Sequence, residues 1–140
     1  MPLTKVEFDL QIQSTAEKLW DILADVKSWP EWQGTSYIKS ITSGPVKEGF
    51  RFVAELGGLK WKLIVTKAER PYRVCWKGQR LGIEAIHEWE FLEEGGKIKA
   101  LTRESMSGWT LLFVYPIVKA RLTQYDKKWL ADLKSKAERV

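Results

Sequence analysis

The spacing of apolar positions changes twice along the chain. Val6, Phe8, Leu10 and Ile12 alternate with Glu7, Asp9, Gln11 and Gln13, the two-residue period of a half-buried strand. Ser14-Thr15-Ala16-Glu17 follows with capping-box spacing, Ser14 placed to accept from the Glu17 amide and Glu17 to reach back. This predicts a helix to about Ala24 that buries Leu19, Trp20 and Leu23. Asp25 is placed to cap a second short helix through Val26 and Trp29, which Pro30 ends or kinks. Tyr37 to Thr42 reads as an irregular edge strand.

From Phe50 to Met106 the period stays at two, and glycine-rich turns divide the segment into hairpins. Turns are expected at Gly57-Gly58, Gly78-Gln79 and Glu93-Glu94-Gly95-Gly96, with a fourth between Ala68 and Pro71. Each turn implies a register, and residues placed opposite share a face. The first puts Leu56 opposite Leu59, Ala54 opposite Trp61 and Phe52 opposite Leu63. The second puts Trp76 opposite Leu81 and Val74 opposite Ile83. The third puts Phe91 opposite Ile98, Trp89 opposite Ala100 and His87 opposite Thr102. One face is then apolar, from Phe50 and Phe52 through Leu63, Val65, Tyr72, Val74, Trp76, Leu81, Ile83, Ala85, Trp89, Phe91 and Ile98 to Met106. The other carries Arg51, Glu55, Lys60, Lys62, Arg73, Lys77, Glu84, Glu88, Glu90, Lys97, Lys99 and Arg103. A sheet with one dry face needs an apolar cover.

The last third changes to a period near 3.6 and supplies that cover. Leu111, Tyr115, Val118, Leu122, Tyr125, Trp129 and Leu133 form one helical stripe. Lys119, Arg121, Asp126, Lys127, Lys128, Lys134 and Lys136 lie between them and read as solvent-facing. Proline suits a first turn and breaks an interior. Pro116 therefore places the helix start near Tyr115, with Gly108 to Val114 a loop or separate turn. The helix would run roughly 37 Å at 1.5 Å per residue. Trp109 to Val118 is a very apolar entry, and Trp109 to Tyr115 is more apolar than one helix face can bury. It reads either as a buried helix start or as a lid or docking patch, with Lys119 and Arg121 suited to anionic head groups.

Composition narrows the class. A chain of 140 residues is expected to be one domain, 1–140. Its 44% hydrophobic and 29% charged residues are those of an ordinary globule, but eight Trp call for large flat apolar surfaces. A single cysteine, Cys75, excludes an internal disulfide and suits a cytoplasmic location. Met1 to Gln13 lacks the apolar core of a signal peptide, and no apolar run reaches a membrane span. The net charge of +5 permits an anionic partner, although much of the excess sits on the last helix as a solvated face.

The order of strand, two short helices, six strands and a long C-terminal helix is the helix-grip arrangement. Particular residues carry the same likeness: Ser14 to Trp20, then Asp25-Val26-Lys27-Ser28-Trp29-Pro30-Glu31-Trp32. Gly49-Phe50, the strand His87-Glu88-Trp89-Glu90-Phe91, and Glu104 to Gly108 complete it. The chain resembles the SRPBCC superfamily, which includes START lipid-transfer domains, the birch-pollen allergen fold and the polyketide cyclase/dehydrase group. The resemblance implies an α+β fold, a curved antiparallel sheet of about seven strands wrapped around the long helix. It also implies a cavity between sheet and helix for an apolar or amphipathic small molecule. Some members catalyse cyclisation or dehydration there; others bind, carry or contact proteins.

The inward face has four polar intruders, Tyr72, His87, Thr102 and Glu104, which the expected registers gather on one patch. Those registers place Ala85 opposite Glu104, and Tyr72 about 10 Å from Glu104, two strands away. His87 and Glu104 are the candidate acid–base pair: an apolar cavity raises the carboxyl pKa, and a neighbouring imidazole lowers it again. A polar contact that pins the sheet or orients a ligand is the plainer reading. Trp61, Trp76 and Trp89 face inward on successive strands, as core packing or as the wall of a pocket for a ring-bearing ligand. Trp29 and Trp32, flanking Pro30, read as packing, with a gate as the alternative. The expected ligand-facing set is Trp61, Tyr72, Val74, Trp76, Ala85, His87, Trp89, Thr102, Glu104, Leu112 and Tyr115. No metal site or cofactor is expected, since the one His and one Cys fall on opposite faces and no phosphate loop or nucleophile elbow is present. Inward aromatics argue against nucleic acid. Three readings follow: a carrier of a hydrophobic small molecule, a cyclase or dehydratase using His87 and Glu104, and a module docking on protein or membrane through 109–118.

Overall fold

The computed structural model describes residues 4–139. A seven-stranded antiparallel sheet curves around one long helix, in the strand order β1-β7-β6-β5-β4-β3-β2. In chain order the elements are β1 (Thr4–Ile12), α1 (Ala16–Ala24), a 3-10 turn (Val26–Ser28), α2 (Trp29–Trp32) and β2 (Ile38–Ser40). β3 (Arg51–Leu56), β4 (Leu59–Glu69), β5 (Arg73–Arg80), β6 (Ile83–Glu94), β7 (Lys97–Ser107) and α3 (Leu111–Glu138) follow. This is the helix-grip fold.

Local chemistry accounts for each element, in places one step away from the expected residue. The α1 cap is Thr15 rather than Ser14: the Lys18 amide donates to Thr15 Oγ1 at 3.2 Å. Asp25 makes no side-chain cap, and Pro30 lies in the first turn of α2, where its missing N–H costs nothing, instead of ending it. The β3–β4 register is the expected one, with Ala54 opposite Trp61 and Phe52 opposite Leu63.

Two other hairpins turn elsewhere. The β5–β6 turn is Leu81-Gly82, not Gly78-Gln79. Gly78 sits inside β5 because a Cβ there would lie 2.7 Å from Leu63 Cδ2 and 3.3 Å from Trp61 Cε3. The β6–β7 turn is Gly95-Gly96 alone, so Glu93 and Glu94 are strand residues. Both loops have two residues, so each pairs an even-numbered position with an odd-numbered one wherever the turn is centred. The faces are therefore as expected although the partners differ: Trp76 opposes His87, Trp89 opposes Thr102, and His87 opposes Glu104. The residues displaced by the longer strands are Leu81 and Tyr72, which are exposed in turns rather than inward.

The β4–β5 connection obeys different parity. Its loop has three residues, 70–72, with Glu69 opposite Arg73. An odd loop would turn β5 over. A bulge between Val65 and Lys67 inserts one residue, Thr66, and restores Trp76 to the dry face opposite Val65.

The helix α3 starts at Leu111, four residues before the expected start, and carries Pro116 inside. Only the amide that would reach Leu112 is lost, and Leu111 is fully buried and anchors the preceding turn. At 28 residues the helix is about 42 Å long. Trp129 is its central anchor. The Trp129 ring meets Trp29 at 5.2 Å, Trp76 at 5.8 Å and Trp89 at 5.7 Å between centroids. Such pairs contribute about 0.5–1.5 kcal/mol each beyond their buried area. Trp29 also donates its indole N–H to Leu23 O at 3.0 Å, so it is core and not gate. On the wet face Arg103 joins Glu7, Glu88 and Glu90.

Candidate functional site

The curved sheet and α3 leave a cavity of about 750 Å³ between them. The β3–β4 hairpin forms its rim with Leu56, Gly57, Gly58 and Leu59. Trp61, Leu63, Trp76, Gly78, Ile83, Ala85 and Met106 form its floor, and Val114, Ile117, Val118, Leu122, Tyr125 and Trp129 its roof. Polar side chains reach it at two places. His87 and Glu104 lie inside, while Arg121, Gln124 and Lys128 line it from α3.

The interior polar group follows from the register. His87 on β6 and Glu104 on β7 are direct cross-strand partners, with Nδ1 3.6 Å from Oε1. The other imidazole nitrogen, Nε2, lies 2.7 Å from Thr102 Oγ1. Burial lowers the His87 pKa to about 3, so the ring is neutral at physiological pH. The expected lowering of the Glu104 pKa by a charged imidazole is therefore absent. Burial and the carboxyl of Asp126 raise the Glu104 pKa well above the usual range.

Asp126 is the residue that sequence reading placed in solvent; it is 0% exposed. It lies four residues after Leu122 and four before Leu130, on the buried stripe. That position was readable in the sequence, but the charge outweighed it. Neither Asp126 oxygen receives a hydrogen bond from another described group. Burial raises its pKa to about 7. Two adjoining buried carboxyls cannot both ionise, and a proton held between them is the natural hydrogen bond of the pair. Such a pair can both donate to and accept from a ligand atom.

Among the described residues, His87, Glu104 and Asp126 could also offer three donor atoms to a metal ion, within 4.8 Å of one another. Opposed donors on one ion stand only about 4.2 Å apart, twice a bond of roughly 2.1 Å. An ion would have to draw the set together.

Of the other expected ligand-facing residues, Trp61, Trp76 and Ala85 line the cavity. Val74, Trp89 and Thr102 are buried on the same face without lining it. Tyr115 is half-buried and does not line it. Tyr72 is exposed in the β4–β5 turn, and Leu112 faces solvent on α3. The start of α3 is buried through Leu111 alone: Trp109, Leu112, Phe113 and Ile117 around it are all exposed, Phe113 to 78%. Among described residues no helix is long and apolar enough to cross a membrane.

No protein-family model and no curated protein matches the sequence. Solved structures do match in shape. A hypothetical protein from Helicobacter pylori superimposes with a TM-score of 0.84 at 20% identity, over 96% of this chain and 88% of that one. A START superfamily protein from Mycobacterium smegmatis gives 0.78 at 14% identity, over 96% and 97%. The Zhui aromatase/cyclase from Streptomyces sp. R1128 gives 0.77 at 14% identity, over 97% and 94%. At these identities the likeness establishes the helix-grip fold and leaves the chemistry to the site itself.

Proposed function

We propose that the chain binds and carries a hydrophobic or amphipathic small molecule, lipid-like or ring-bearing, between the sheet and α3. The observation that carries this reading is the apolar cavity of about 750 Å³ with one convergent polar group at Glu104. Ligand cavities are of this size and lining. The one cysteine, Cys75, is free and buried, which suits work in the cytoplasm. Acid–base turnover by His87 and Glu104, of the polyketide cyclase or dehydratase kind, is less favoured because Nε2 of His87 is already committed to Thr102. Native mass spectrometry of protein purified from its source tests the proposal. A co-purifying lipid or aromatic compound is the expected result. Protein that is empty, and that takes up no apolar probe, would sink it. Glu104→Ala should then weaken binding of the identified compound without any loss of turnover to measure.

A second reading is favoured by the exposed apolar start of α3. Trp109, Leu112, Phe113 and Ile117 lie beside exposed Lys119 and Arg121, a combination suited to an anionic membrane surface. Transient contact there would bring the cavity rim to the lipid. Flotation with phosphatidylserine-containing vesicles tests it: Phe113→Asp should abolish association while leaving the thermal melt unchanged. Equal flotation of both proteins would refute it.

A further inference from the structure

The polar group inside the cavity has an unmet charge requirement. Glu104 is nine-tenths buried and lines the cavity, and Asp126 lies against it with neither oxygen accepting from any other described group. Among the described residues the only basic side chain within ion-pair reach of either carboxyl is His87, whose ring is neutral. No Lys or Arg among the described residues reaches the pair. Arg121 and Lys128 line the cavity but are exposed, and Lys128 pairs with Asp132 at 2.5 Å. Buried carboxyls without a counter-charge are costly to ionise. An anionic ligand group beside them would add to that cost, and a cationic one would remove it.

The surroundings select the kind of cation. Trp76 and Trp129 stand 5.2 Å and 5.0 Å from the His87 ring, and Tyr125 packs on Trp129 at 5.7 Å. All of these side chains line the cavity. Aromatic walls attract an organic cation, and they supply none of the oxygen ligands that a hydrated metal ion would need. The 4.8 Å within which the donor atoms lie is likewise wider than the roughly 4.2 Å across a zinc-sized ion, and an imidazole does not suit the oxygen shell of a larger calcium ion.

We propose that the cavity takes an amphipathic amine, its apolar body among Trp61, Trp76 and Trp129 and its protonated nitrogen on Glu104, backed by Asp126. This rests on the small-molecule reading above and adds the charge of the ligand. Dodecylamine, dodecanol and dodecanoic acid share one body and differ in the head group. Their binding at pH 7, below micellar concentrations, is read by quenching of tryptophan fluorescence. The amine should bind at least tenfold more tightly than the alcohol, and the acid least tightly. Glu104→Gln should remove most of that preference and leave dodecanol within about twofold. Equal binding of amine and alcohol by the native protein would overturn the proposal, even if the variant fails to fold. Tighter binding of the acid would also overturn it and would place the head group at Arg121 and Lys128. If none of the three binds, the small-molecule reading falls as well.

Discussion

Glu104 on β7 and Asp126 on α3 meet in the interior, and no other described group donates a hydrogen bond to Asp126. A contact of this kind makes stability depend on pH in a calculable direction.

His87, Glu104 and Tyr125 are the titratable groups around Asp126. Below pH 6.5, unfolded His87 takes a proton that the native ring, with a pKa of about 3, refuses, so its contribution to stability rises with pH. The carboxyls act in the opposite sense. Their native pKa values are raised, so the native state keeps protons that the unfolded chain loses from about pH 4 upward. Above pH 6.5 only the carboxyls remain, and stability should fall by up to about 1.4 kcal/mol per pH unit for each proton involved. Asp126→Asn should flatten that fall and make the protein more stable than the native chain at pH 8. Urea midpoints between pH 5.5 and 8.5 measure it; a native curve flat from 6.5 to 8 would show that the pair holds no extra proton.

Thr102→Val keeps the shape of the side chain and removes the partner of His87 Nε2. An imidazole nitrogen is then buried without a hydrogen bond. The expected loss is about 1–3 kcal/mol by urea denaturation at pH 7. A loss below about 0.5 kcal/mol, the size of an ordinary surface change, would mean that water replaces the hydroxyl.

Gly78→Ala tests the interior position in β5. The new methyl would sit 2.7 Å from Leu63 Cδ2. Overpacking should cost about 1–3 kcal/mol and perturb the near-ultraviolet dichroism of Trp61. Unchanged stability and dichroism would indicate that the Leu63 side chain moves aside freely.

Leu81→Asn addresses the first turn residue of the β5–β6 hairpin. Leu81 has φ of 46°, in the left-handed region, and is 73% exposed. Asparagine is favoured there, and its substitution should raise stability by about 1 kcal/mol. The Leu81 carbonyl, which accepts from the Thr110 hydroxyl at 2.6 Å, is unaffected by the change. A lower melting temperature would show that the leucine side chain holds the hairpin against α3.

The faces of the sheet were legible in the sequence because they depend on whether a loop is even or odd, while the partners depend on where it is centred. Gly78 was mistaken for a turn because its real reason, contact with Trp61 and Leu63 from β4, is not local. Leu81 disguised the true turn, since a leucine at positive φ is contrary to propensity. His87 and Glu104 were placed on the inner face by alternation alone, yet their direct pairing emerged only with the two-residue turn at Gly95-Gly96. Asp126 is hidden in the sequence because its charge argues for solvent while its helical position argues for the core. Pro116 was weighed too heavily in the other direction: a proline near a helix start removes one hydrogen bond, and tertiary burial of Leu111 outweighs that loss.

The extra residue at Thr66 makes the inner surface a matter of counting. Substitutions along β4 and β5 alter single positions, and even the loss of Thr66 would be absorbed, since without it Val65, Lys67 and Ala68 still oppose Trp76, Cys75 and Val74 in an unbroken ladder. An extra or missing residue in the two-residue β5–β6 turn has no bulge to absorb it, and would turn His87 and Trp89 outward and Glu88 and Glu90 inward. Insertions or deletions in pairs lengthen or shorten a hairpin and leave its interior intact, whereas a single-residue change in such a turn empties one wall of the cavity. The protein is thus tolerant of drift in composition and brittle to drift in length.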